Sequence, residues 1–221
     1  LWEQSDRTED VFTAFETAYD FYITEARTRQ PDLDQWIIPP IAKDVEKSIA
    51  SYRKRGLEKD VVNYKTFCEE AEWEVYRFPD GEKALELSLE FEVGGILVKG
   101  AIDALHYWPD RDVITLTDIK SGNLEEWDAR QLGVYAYAVG VQYGLEIKHG
   151  RYFFTKSNKI GGWHDLSRYD EPYLSDLFQS LDRVVGEGLF LPSPGDHCKL
   201  CGVRPQCREQ GDKDKIIELS R

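Results

Sequence analysis

Gly100-Ala101-Ile102-Asp103, followed by Val113-Ile114-Thr115-Leu116-Thr117-Asp118-Ile119-Lys120-Ser121-Gly122, is the stretch on which the fold turns. The runs Ile96 to Trp108 and Val113 to Lys120 are apolar and β-branched enough for strands. Pro109-Asp110-Arg111-Asp112 between them is a turn. Folded as an antiparallel hairpin, they bring Asp103 on one strand close to Asp118 on the next. Asp118 and Lys120 are two apart and point to one face. Val113 to Leu116 is strongly apolar and ends in two charged residues, where a buried charge is costly unless it binds something. Two carboxylates and the backbone carbonyl of Ile119 suit a hard divalent cation, Mg²⁺ or Mn²⁺. Such an ion polarises phosphate and acidifies water. Lys120 beside it would orient the water and stabilise charge on a phosphoryl group. Standing alone, Asp-x-Lys is common and reads as an exposed ion pair worth less than about 1 kcal/mol.

Outward from this hairpin the strand pattern continues. Glu72 to Phe78 alternates, Pro79-Asp80-Gly81 turns, and Leu85, Leu87, Leu89, Phe91 and Val93 share one face of a strand that ends at Gly94-Gly95. Downstream, a helix is expected over 126–143, with Leu132, Tyr135, Ala136 and Val139 on one face. A strand over 149–155, another over 161–166 and a helix over 171–187 follow. Upstream, helices are expected over 9–29 and 41–55, separated by Pro31, Pro39 and Pro40, with Gly56 as the stop. The order of helices, antiparallel strands, then helix, strand and helix gives an α/β class, a central mixed sheet flanked by helices. It divides into a helical cap or side region (1–70), a core (71–190) and a Cys-rich tail (191–221).

The chain of 221 residues suits one domain, or one domain with a cap, and its 41% hydrophobic and 31% charged residues are those of a globular protein. The net charge of −13 argues against gripping nucleic acid by bulk electrostatics and leaves room only for a local basic groove. No run approaches the roughly 20 apolar residues of a membrane span, and the N-terminus has no secretory pattern. A cytoplasmic protein is expected. The chain opens Leu1-Trp2-Glu3 and contains no Met, which reads as a fragment or a processed form.

Cys198, Cys201 and Cys207 crowd into ten residues as C-x2-C-x5-C, a metal-binding pattern before a disulfide one. Three thiolates need a fourth ligand to hold a [4Fe–4S] cluster or a tetrahedral Zn²⁺. His197 is adjacent and Cys68 distant in sequence, and spacing does not separate iron–sulfur from zinc.

Gly100-x-x-Asp103, then Asp118-x-Lys120-x-Gly122, then Gln131 and Tyr135 within Gln131-Leu132-Gly133-Val134-Tyr135-Ala136, resembles the RecB-like nucleases of the PD-(D/E)XK superfamily, over about residues 72–210. The resemblance implies a restriction-endonuclease-like core. Asp103 and Asp118, with the Ile119 carbonyl, would hold Mg²⁺ or Mn²⁺, and Lys120 would complete the catalytic set. Gln131 and Tyr135, one helical turn apart, would position substrate. It further implies a DNA exonuclease acting on single strands or ends, working beside recombination or replication proteins in recombination, repair, replication or defence, in a bacterial cell or phage-infected host.

The cysteine spacing is similar to that of the AddB-type and CRISPR-associated exonucleases. That implies a [4Fe–4S] cluster, with Zn²⁺ second, which staples the tail to the N-terminal region by closing a long loop. The family's histidine ligand on an N-terminal helix is missing, because His106, His149, His164 and His197 all follow Asp103. The family's first cysteine is missing from its place as well. Either the chain starts after both, or Cys68 is the fourth cluster ligand. The rival function is a non-catalytic nucleic-acid-binding or adaptor module that keeps the fold and the cluster. A third is a zinc-stapled structural domain. His106 and His164 read as structural, and Trp73, Trp108, Trp127 and Trp163 as core or edge packing.

Overall fold

The structure is a computed structural model and describes residues 2–36, 44–121, 128–189 and 198. Its longest hairpin joins β2 (Leu85–Val93) to β3 (Ile96–Trp108), with Val93 paired to Ile96 across Gly94-Gly95. Both glycines take positive φ, 60° and 80°. That geometry lets a two-residue loop follow the twist of its strands. Along β2 the expected alternation holds: Leu87, Leu89, Phe91 and Val93 are buried and the residues between them are exposed.

β4 (Val113–Lys120) runs antiparallel to β3, and β5 (His149–Phe154) runs parallel to β4. Parallel neighbours need a crossover, and α4 (Arg130–Tyr143) is that crossover. Two-residue strands complete the sheet: β1 (Glu74–Val75) on β3, and β6 (Lys159–Ile160) and β7 (His164–Asp165) on β5. Among the described residues the sheet has seven strands in the order β1-β3-β4-β5-β6, with β2 joined to β3 and β7 to β5.

Helices cover both faces, as the alternation along β5 makes plain. Tyr152 and Phe154 join Ile102, Leu116, Leu132, Val139 and Leu174 under α4 and α5 (Glu171–Gly186). Phe153, between them, faces the other way into Trp2, Val11, Val61, Phe67, Cys68 and Trp73, beneath α1 (Val11–Arg29) and α3 (Val61–Glu69). Each fully buried large apolar side chain contributes about 1.5–3 kcal/mol of transfer free energy. The fold is the mixed α/β architecture expected, a sheet flanked by helices. Asp10 and Asp170 cap α1 and α5 by accepting from Thr13 N and Tyr173 N.

Three expectations are corrected. Gly56 is not a stop: α2 (Val45–Arg55) runs on through a π-helical turn, Gly56–Asp60, into α3. Gly56 keeps helical angles, and a Cβ there would lie 2.3 Å from the Phe15 ring. The glycine serves a close approach of α1. The strand expected over 72–78 is two residues long, because from Tyr76 the chain turns to pair with 82–84: Ala84 N donates to Tyr76 O and Phe78 N to Glu82 O. The strand expected over 161–166 is reduced to β7, with Gly161-Gly162-Trp163 separating it from the two-residue β6 before it. The expected helix starts at 41 and 126 fall at or beside segments 37–43 and 122–127, which lie outside the described residues, as do His197, Cys201 and Cys207. Among the described residues no helix is long and apolar enough to cross a membrane.

Candidate active site

Ala104 pairs with Thr117 as the last rung of the β3–β4 ladder, and extending that register by one residue sets Asp103 opposite Asp118. The Asp103 carboxylate accepts the backbone N–H of Ile119. Asp118, with a side chain 5% exposed, pairs with Lys120 Nζ at 2.9 Å, and the lysine is 25% exposed. Lys120 Nζ donates to Gln131 Oε1 at 2.9 Å. Gln131 Nε2 donates to Tyr135 Oη at 2.8 Å and lies 3.4 Å from Asp118 Oδ1. The structure therefore brings Asp118, Lys120, Gln131 and Tyr135 into one hydrogen-bonded set at the end of β4, beside Asp103. Asp118–Lys120 is not an exposed ion pair: a carboxylate this buried persists only with close partners. Lys120 Nζ also lies 5.6 Å from the centroid of Tyr152, the β5 partner of Asp118.

Asp103 is half-buried. Desolvation raises its carboxyl above the ordinary range, the Ile119 N–H opposes that, the negative charge of Glu86 raises it further and Lys120 lowers it. Glu86 is the residue that sequence reasoning missed. Leu85 pairs with Ala104 and Leu87 with Ile102, so Glu86 stands across from Asp103. Glu86, Asp103 and Asp118 thus form a row across three strands. Glu86 has φ 51°, a left-handed conformation that costs a bulky residue free energy. Among the described residues it has no ion pair, whereas Glu90 on the same strand binds Lys99 at 2.8 Å. In sequence Glu86 is one of three glutamates on the polar side of β2, and only the register with β3 singles it out.

Among the described residues no three His, Cys, Asp or Glu side chains gather closely enough to enclose an ion by themselves. Two carboxylates and a carbonyl at the edge of solvent suit Mg²⁺, which keeps several of its waters and takes one or two protein carboxylates.

Of the cysteines, Cys198 is half-buried. Cys68 is buried among Val61, Phe67 and Trp73, with Sγ 3.6 Å from Glu3 Oε1. Burial pushes its thiol up and Glu3 adds to that, the surroundings of a protonated core residue. His106 is fully buried, stacked on Trp73 at 3.5 Å with Nδ1 2.9 Å from Thr117 Oγ1. Trp73 is buried and Trp108 half-buried, while Trp163 is exposed. Trp127 lies outside the described residues.

The sequence profile of the PD-(D/E)XK nuclease superfamily matches residues 13–208. The chain belongs to that superfamily. This PD-(D/E)XK nuclease is 36% identical over 140 residues to the Gene 69 protein of Mycobacterium phage D29, covering 61% of the chain and 51% of that relative. It is 30% identical over 174 residues to the Gene 69 protein of Mycobacterium phage L5, covering 75% and 59%. The nuclease chain thus spans between half and three-fifths of the length of these relatives. Two solved structures resemble it distantly. SSO0001 has a TM-score of 0.38 at 14% identity, over 75% of this chain and 76% of that one. A protein of Eubacterium rectale that carries the name of an exonuclease has a TM-score of 0.42 at 15% identity, over 90% and 76%. Neither likeness is close enough to bear on function.

Proposed function

We propose that the chain is a metal-dependent deoxyribonuclease that hydrolyses phosphodiester bonds as an exonuclease on single strands or ends of DNA. Its setting would be phage recombination, repair, replication or defence, beside recombination or replication proteins. The observation that carries this reading is the convergence of Asp118, Lys120, Gln131 and Tyr135 with Asp103 across from Asp118. PD-(D/E)XK nucleases typically use Mg²⁺ or Mn²⁺. Asp103, Asp118 and the Ile119 carbonyl would hold such an ion, with Glu86 adding negative charge beside Asp103. When bound, the ion supplies Lewis-acid stabilisation of the phosphate and acidifies water.

The remaining work falls to the protein. Lys120, held between Asp118 and Gln131, keeps a positive charge where the phosphoryl group gathers negative charge. It also donates to the attacking water. Gln131 fixes the Lys120 ammonium, and Tyr135 fixes Gln131. The test is digestion of end-labelled single- and double-stranded DNA with Mg²⁺, with Mn²⁺ and with chelator. Release of mononucleotides from an end supports the exonuclease reading; internal fragments from a substrate without ends contradict it.

The same reading gives residues 191–221 a metal-binding role, with Cys198, Cys201 and Cys207 on a [4Fe–4S] cluster. It rests on their spacing and on the family resemblance. Iron and sulfide in anaerobically purified protein, with visible absorption lost in Cys201→Ser, would support the cluster; stoichiometric zinc instead would replace it. One observation favours the non-catalytic alternative, a nucleic-acid-binding or adaptor module: the net charge of −13 is high for a DNA enzyme. A folded wild-type protein that binds DNA and never cleaves it would decide for that alternative.

A further inference from the structure

β5 carries a charged side chain that the active site does not use. Arg151 is 8% exposed. Among the described residues it has neither an ion pair nor a hydrogen bond, and its Nε is sealed from solvent without an acceptor. Its guanidinium instead faces three rings, 4.5 Å from the centroid of Trp163, 5.4 Å from Trp108 and 5.6 Å from Phe67. Burial without a countercharge brings its pKa down to about 10. Ring faces offset only part of the desolvation of a cation. A phosphate would supply the missing charge in the planar geometry that arginine matches.

The surroundings fit a nucleic acid strand. Trp163 is 43% exposed, and its ring meets Trp108 edge-on at 5.8 Å. Arg111 is exposed, lies over Trp108 at 5.6 Å and makes no ion pair among the described residues. Two arginines that make no ion pair among the described residues stand beside two tryptophans, with Asp110 and Asp112 flanking Arg111 in the turn. Basic groups that track phosphates beside rings that stack on bases are how single strands are held. The patch lies apart from the catalytic set: Trp108 pairs with Val113, at the end of β4 away from Lys120, and Arg151 faces Phe67 of the N-terminal cluster while Lys120 meets Gln131 of α4 on the other face of the sheet. Trp163 precedes His164 in the link between β6 and β7, which Gly161 N ties to Tyr152 O at 2.8 Å.

We propose that Trp163, Trp108, Arg151 and Arg111 form a binding site for single-stranded DNA outside the catalytic centre. A base stacks on the exposed side of Trp163 and backbone phosphate meets the two guanidinium groups. The identity of the ligand rests on the nuclease reading; the site itself rests on this geometry.

The test is the anisotropy of a labelled single-stranded oligonucleotide with the full chain, free of divalent metal so that nothing is cut. Trp163→Ala weakens binding about tenfold or more, and Trp163→Phe by less because a ring remains. Arg151→Gln lowers the salt dependence of affinity by about one phosphate contact. Arg111→Gln, at an exposed position that leaves the fold intact, gives the same reading. Tyr22→Ala, at an exposed ring on α1, changes nothing. Equal affinities of wild type and Trp163→Ala, or an unchanged salt slope in Arg111→Gln, overturn the site. A preference for duplex overturns the single-strand assignment. If wild type binds through Trp163 but never cleaves with metal, the site stands and the nuclease reading falls. Metal-dependent cleavage with binding indifferent to Trp163 gives the reverse.

Discussion

Glu86 falls opposite Asp103 by the register of β2 on β3, and its charge raises the Asp103 carboxyl, with Asp118 on the next strand. Like charges so placed repel, and a divalent cation relieves the repulsion. Glu86→Gln is therefore expected to weaken Mg²⁺ binding roughly tenfold in calorimetry, while Glu90→Gln, whose charge is already paired with Lys99, leaves it unchanged. Equal effects of the two would remove Glu86 from the site. Asp118 with Lys120, two apart on one strand, and Gln131 with Tyr135, one helical turn apart, were legible in sequence as same-face pairs, while their roles and that of Asp103 came from the family resemblance. Glu86 was not, because its place depends on register between strands. A second residue-scale prediction concerns His106, held neutral by burial, with Arg151 and Arg7 adding to the effect. The unfolded chain takes up a proton near pH 6.5 that the folded chain refuses. The stability tied to His106 is thus present above about pH 6.5 and lost as pH falls, by at most about 1.4 kcal/mol per unit. The melting temperature should drop between about pH 7 and about pH 5, more shallowly in His106→Leu. An identical slope in that variant would contradict the assignment.

α4 is the element on which the site depends, since it carries Gln131 and Tyr135 and is the crossover that makes β5 parallel to β4. Its seating on the fold is tight at Gly133, where a Cβ would lie 2.1 Å from the ring of Tyr169, a buried ring with no room to yield. Gly133→Ala should cost about 1–3 kcal/mol in chemical denaturation and displace Gln131 enough to reduce turnover. Gly140→Ala, where the nearest atom is 3.7 Å away, should be neutral or stabilising by about 0.5–1 kcal/mol. Matching stabilities would show that the contact at Gly133 is not tight. At this scale the β2–β3 hairpin was legible because Gly94-Gly95 dictates its loop. The continuous path from α2 to α3 was not. Gly56 reads as a terminator, and what keeps it helical is the Phe15 ring on another helix.

Over the whole molecule, two apolar clusters on opposite faces of one sheet hold the helices in place. Phe153 is the β5 side chain that enters the N-terminal cluster, stacked on Phe67 at 4.1 Å. Phe153→Ala should cost about 3–5 kcal/mol and loosen α1 and α3 before the α4 face, an order that hydrogen exchange would resolve. The α/β class was legible because the order of strand and helix periods fixes it. The way α1 and α3 cover the sheet was not, since it depends on contacts between distant segments. A net charge of −13 sets the chain apart from proteins that hold DNA by overall attraction, so a nucleic acid would be recognised by local groups. The most direct measurement is metal-dependent cleavage by Lys120→Ala, with a thermal melt of the same sample. The account predicts that turnover falls by about 10²- to 10⁴-fold while Mg²⁺ still raises the melting temperature, because Asp103 and Asp118 remain to hold the ion. Cleavage at the wild-type rate by the folded Lys120→Ala protein would contradict it.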